Sequence, residues 1–141
     1  MKHHAKLFVA AALVFACTVV SAANNPPRKP GLWETRMQMG GNTTMTQVCI
    51  LSAADDARIN AEGEAAMKAM CSKLEMHQQG GKWISDSVCM MGHMTTHNVI
   101  TANGDSAYHS EGTTNGAPVT SDAKWMGSCK PGQKSGPVSG R

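Results

Sequence analysis

The chain has 141 residues, thirteen basic and ten acidic side chains, a formal charge of +3 and only 4% aromatic residues. That length suits one domain, and the near balance of charge leaves no basic patch for nucleic acid or an anionic membrane. With so few rings, the core buries modest area and calls for covalent staples.

In chain order, Lys2 and Lys6 precede an apolar run from Leu7 to Val20, which closes in Val20-Ser21-Ala22-Ala23. Charge, grease and small residues in that order predict a secretory signal peptide over 1–22, too short for a comfortable membrane span. The mature chain is therefore expected in the periplasm or secreted, without an integral membrane segment. Cys17 follows Val14-Phe15-Ala16, an outline of a lipoprotein signal. Bulky Phe15 and the apolar residues beyond Cys17 argue against a lipid there.

Residues 23–29 are polar and proline-rich, which predicts a flexible arm. From Trp33 to Met39 large or β-branched residues alternate with Glu34, Arg36 and Gln38, the period of a half-buried strand. Gly40-Gly41-Asn42 turns the chain, and Thr43 to Ile50 predicts the returning strand. Ser52-Ala53-Ala54-Asp55 has capping-box spacing, with Asp in place of Glu, ahead of an alanine-rich helix to Met70. Ile59, Ala66, Met67 and Met70 fall near one face of it. Asp55 and Asp56 read as acids in its first turn, where the helix dipole favours them.

Beyond the helix, Gly80-Gly81, Asn103-Gly104 and Asn115-Gly116 space the chain as an antiparallel meander. Four cysteines remain after the leader, an even number in an exported chain, with three possible connectivities and no Cys-x-x-Cys pair. A two-residue turn at Gly80-Gly81 would set Leu74 opposite Ser87 and Met76 opposite Ser85. A three-residue turn, Gln79-Gly80-Gly81, instead pairs Met76 with Ile84, puts Leu74 and Val88 on that face, and sets Cys71 opposite Cys89. Apolar matching thus predicts the three-residue turn and a Cys71–Cys89 disulfide, leaving Cys49–Cys129. Strands are expected over Met94–Ala102, Asp105–Gly112 and Val119–Cys129, with Val99, Tyr108 and Ala123 side by side. The Pro/Gly/Ser-rich segment 130–141 reads as a disordered tail. Together these elements predict a mainly β (α+β) domain over 30–129. It is a single curved antiparallel sheet or small open barrel of six or seven strands, with one helix inserted after strand two.

Pro30-Gly31-Leu32-Trp33-Glu34, Val48-Cys49-Ile50-Leu51, Cys71-Ser72, Gly81-Lys82-Trp83 through Cys89, and Ala123-Lys124-Trp125-Met126-Gly127-Ser128-Cys129 occur in that order. The set resembles the bacterial domain of unknown function 3617 family. The resemblance covers about residues 30–130 and implies an exported, mostly Gram-negative envelope protein with no assigned activity. Gly31-Leu32-Trp33 is also similar to the Gly-x-Trp that opens lipocalin barrels, which keeps an apolar interior in view.

No Gly-x-Ser-x-Gly elbow, His-Glu-x-x-His helix or glycine-rich phosphate loop occurs, so no enzyme is expected. The expected role is a small binding or envelope structural module for an unknown envelope ligand or protein. Trp33, Trp83, Val99, Tyr108 and Trp125 would form its apolar core or ligand surface, and no cofactor is expected. The alternative is a soft-metal protein. Met91, His93, Met94 and His97 bring thioether and imidazole donors into one short run, a chemistry that suits copper or silver. Against it, methionine is an adaptable core filler in a chain short of Phe and Leu.

Overall fold

The computed structural model describes residues 25–139, so the signal peptide expected over 1–22, the cleavage expected after it and Cys17 lie outside the described residues. Strands β1 (Gly31–Met39) and β2 (Asn42–Ile50) form a hairpin, and helix α1 (Ala53–Met70) follows. A meander of β3 (Cys71–Gln79), β4 (Lys82–Cys89), β5 (Met94–Asn103), β6 (Ala107–Thr114) and β7 (Ala117–Trp125) comes next, and the short β8 (Gly136–Pro137) closes the described chain. The eight strands of the described residues belong to one antiparallel sheet in the order β3-β4-β5-β6-β7-β1-β2-β8. The mainly β class and the helix after strand two are as expected. The sheet is open, with β3 and β8 at its two edges.

The helix dictates the shape of that sheet. It leaves β2 and enters β3, which are six strand spacings apart, about 29 Å in a flat sheet. Its 18 residues rise only about 27 Å. Ile50 and Cys71 also lie toward opposite ends of their strands, so the helix bridges them only because the sheet curls. Ser52 starts the helix as the sequence suggests: its Oγ accepts from the Asp55 backbone N–H at 3.1 Å.

Register assigns the concave face. Trp33 pairs with Trp125 and Val48, Tyr108 with Ala123 and Ala102, and Trp83 with Ile100. These residues share the face beneath α1. The core is small: Trp33, Ile50 and Tyr108 are buried, with Val48, Ile59, Ile100, Ala102 and Ala123 packed around them. Trp33 stacks on Tyr108 with ring centroids 5.3 Å apart.

Two disulfides, Cys49–Cys129 and Cys71–Cys89, staple the domain in the expected connectivity. The register predicted for the β3–β4 hairpin is corrected. Gly80 and Gly81, at φ 57° and 75°, make a two-residue turn. Gln79 pairs with Lys82, Met76 with Ser85 and Leu74 with Ser87. A turn with both central residues at positive φ follows the twist of the strands. The apolar matches it forgoes carry little weight because this part of the face is not a packed core. A bulge between Cys71 and Lys73 then restores Cys71 opposite Cys89.

Other expectations are corrected as well. Val99 pairs with Ile84 and Glu111 on the convex face, so it does not sit beside Tyr108 and Ala123. Strand β6 starts at Ala107 because Gly104 to Ser106 form the turn. The helix turns Ile59 and Met67 inward, while Ala66 and Met70 are exposed. The segment after Cys129 is ordered through Ser139: β8 pairs Gly136 with Cys49 and Pro137 with Val48, and Val138 N–H donates to Gln47 O at 2.9 Å. Disulfide tethering at Cys129 lowers the cost of ordering it, and proline is tolerated on an edge strand.

Candidate functional site

The arm expected to be flexible is pinned across one end of the sheet. Arg28 donates from its backbone N–H to Asp56 Oδ2 and from Nε to Asp56 Oδ1, both at 2.8 Å. Arg28 also reaches Asn60 Oδ1 at 3.2 Å. Asp55 and Asp56 both lie in the first turn of the helix as expected, and Asp56 is in addition the buried partner of Arg28. Tyr108 Oη donates to Pro27 O, and Trp33 Nε1 donates to Lys29 O at 2.9 Å. Burial, reinforced by the Asp56 charge, raises the Tyr108 pKa.

The Pro30-Gly31-Leu32-Trp33 stretch has its physical explanation at this end. Trp125 lies against the Gly31 backbone with Nε1 donating to Pro30 O at 3.0 Å, and Lys29 Nζ stands 4.1 Å above its ring. A Cβ on Gly31 would come within 2.0 Å of that indole nitrogen, and φ there is +139°. Only glycine admits the tryptophan.

Away from this packed end, α1 stands off the sheet and leaves a cleft of about 410 Å³. The underside of the helix presents Ile59, Asn60, Gly63, Glu64 and Met67 to it. A Cβ on Gly63 would meet nothing within 4 Å, which shows how far the helix is held from the strands. Apolar walls come from Ile59, Met67, Leu74, Met76 and Ile100, and the floor is uncharged: Thr35, Ser85, Asn98, Ser110 and Ser121. Ser110 Oγ donates to Asn98 Oδ1 at 3.1 Å. Gly112 makes room for that arrangement, since a Cβ there would fall 2.4 Å from Asn98 Oδ1 and 1.9 Å from His97 O. The charges bordering the cleft are neutralised locally, Arg28 by Asp56 and Glu64 by Lys68 at 2.6 Å.

The convex face is charged instead. His97 Nδ1 is 2.7 Å from Asp86, and His109 lies 2.8 Å from Asp122 and 3.0 Å from Glu111. The Asp122 hydrogen bond, then that of Glu111, raises the His109 pKa. Of the four residues proposed for soft metal, Met91 is exposed in a 3₁₀ turn over Met90–Gly92, and His93 caps that turn. Met94 opens β5 opposite Cys89, whereas His97 leaves the other face of the strand. Among the described residues no group of three His, Cys, Asp or Glu is arranged to hold a metal ion.

Trp33, Tyr108, Trp83 and Trp125 share the concave face, with Trp33 and Tyr108 in the core and Trp125 at the rim. Sequence reasoning missed the cleft itself. Its helical wall is built partly from Asn60, Gly63 and Glu64, small or polar residues that no amphipathic pattern marks as inward. The 3.6-residue spacing from Asp56 through Asn60 and Gly63 to Met67 was the available signal.

No helix among the described residues is long and apolar enough to cross a membrane. No curated protein and no solved structure matches the chain. A family model described as a protein of unknown function, DUF3617, matches residues 28–129, from the pinned Arg28 to the stapled Cys129, and the chain belongs to that family.

Proposed function

We propose that this is an exported, non-catalytic binding protein that holds a small uncharged amphiphile between α1 and the concave face. One observation carries the reading: an 18-residue helix spans the sheet yet leaves beneath it a cleft of about 410 Å³, within the size range of small-molecule sites. Apolar walls with a neutral, hydroxyl- and amide-bearing floor suit a ligand with a hydrocarbon body and hydrogen-bonding groups. Asn98 Nδ2, which has no protein acceptor among the described residues, is a donor for such a group. The lining offers no adjoining nucleophile and base, which supports binding over catalysis. Two disulfides suit an oxidising compartment such as the periplasm. The observations favour this cleft over the methionine–histidine run, whose Met94 and His97 face opposite ways.

Isothermal calorimetry with monooctanoylglycerol, and with octanoate as the charged control, tests the proposal. The neutral probe binds and the carboxylate binds at least tenfold more weakly, because burying a charge on a neutral floor is costly. Ser85→Trp fills the cleft and abolishes binding while both disulfides stay formed. Equal binding of the two probes, or binding that survives Ser85→Trp, overturns the reading.

A further inference from the structure

Beside the cleft, and independent of any ligand in it, runs β3, an edge of the sheet among the described residues. In the two-residue hairpin, Gln79 and Lys82 flank the turn as a hydrogen-bonded pair, so His77, Glu75 and Lys73 direct their backbone groups to β4. Leu74, Met76 and Gln78 therefore present N–H and C=O outward. A second hollow, of about 460 Å³, is lined by Glu64 and Lys68 of α1 and by the consecutive residues Leu74, Glu75, Met76 and His77. Neighbouring residues of a strand point to opposite faces, so a hollow touching four in succession lies along the edge. It is a groove roofed by the helix, beside backbone with which no strand pairs among the described residues. The opposite sheet edge is occupied by β8 with Pro137, which blunts it.

We propose that this groove takes the β3 strand of a second copy of the chain, antiparallel, with the twofold axis at Leu74. Charge complementarity selects both the occupant and the register. With Leu74 facing its own counterpart, Lys73 of each copy pairs with Glu75 of the other, twice, on the convex face. Leu74 and Leu74 form a hydrogen-bonded pair through their outward backbone groups. The Lys73–Glu75 pairs are then non-hydrogen-bonded positions, where side chains approach most closely. Moving the axis to Glu75 sets two carboxylates against each other. Moving it to Met76 leaves Lys73 without an anion. Within one chain Glu75 already lies opposite Asp86 on β4, a like-charge pair in which Lys73 Nζ stands 3.4 Å from Glu75 and His97 Nδ1 2.7 Å from Asp86. A second lysine from the partner copy completes an alternating array. The two open sheets become one continuous sheet, and both exposed β3 edges disappear.

Sedimentation equilibrium of the disulfide-bonded protein over a wide concentration range tests this. The native chain shows a concentration-dependent dimer, and the Leu74 and Met76 amides gain hydrogen-exchange protection as it forms. Lys73→Glu and Glu75→Lys each weaken the dimer about tenfold or more, since each turns two attractive pairs repulsive. An equimolar mixture of the two variants restores it as a heterodimer, and the double reversal in one chain dimerises like the native protein. A native chain that stays monomeric at millimolar concentration overturns the proposal. So does a dimer that both single reversals leave intact, or a mixture that does not reassociate.

Discussion

The two ends of the concave face are built on different principles. At one end Trp33, Ile50 and Tyr108 are close-packed, the arm is pinned through Arg28, and the Cys49–Cys129 bridge closes a span of 80 residues. At the other, Leu74, Met76, Ser85 and Asn98 line the cleft under the helix, and the Cys71–Cys89 bridge closes a span of only 18. One end spends its few large side chains on stability. The other leaves a hollow that a tightly packed core would have filled. A small domain with three tryptophans and one tyrosine has apolar volume for one solid core, so a cleft beside it is the geometric consequence.

The sharpest way to break this contrast is through the staples. Replacing Cys49 and Cys129 together with alanine is expected to cost about 4–5 kcal/mol, against about 3 kcal/mol for Cys71 and Cys89, because the longer loop restrains the unfolded chain more. Urea denaturation of both pairs of variants reads the difference. Side-chain truncation probes the same asymmetry: Trp33→Ala is expected to lose about 3–5 kcal/mol, whereas Leu74→Ala at the open end loses about 1 kcal/mol. Near-equal losses by thermal denaturation would mean that the open end is packed in solution. Arg28→Ala strands the buried Asp56 carboxylate and should cost about 3 kcal/mol. It should also free the arm, which limited proteolysis near Pro26 and Pro27 would detect.

The smallest effect belongs to neither end. His109 lies on the convex face with its pKa raised above the unfolded value, so it contributes stability at acid pH that is lost as pH climbs through the folded pKa. As pH rises past the unfolded imidazole's value near 6.5, the native melting temperature should fall relative to that of His109→Gln. An identical pH dependence in the two proteins would show that the Asp122 and Glu111 contacts do not hold the imidazolium.

The register of the β3–β4 hairpin shows where sequence reading reaches its limit. Matching Met76 to Ile84 presumes that facing apolar residues meet in a core, and that holds only where the face is covered. Beneath the stand-off of α1 the presumption fails, and the local twist preference of Gly80-Gly81 decides the register instead. Val99 was misplaced because Gly104 to Ser106 turn the chain and shift β6 against β5 by enough to change faces. The cysteine pairing was legible even through a mistaken register, because the bulge after Cys71 absorbed the difference.

What the residues determined alone are the features set by short-range physics. The alternation in β1, the Ser52 cap and the glycine turns each depend on neighbours within a few positions. Tertiary structure decided everything that needed distant parts brought together. The Arg28–Asp56 pair, the seat of Trp125 against Gly31, the ordering of the segment after Cys129 and the cleft under α1 depend on how far the sheet must curl. An 18-residue helix has to reach from β2 to β3, and no local pattern encodes that long-range constraint.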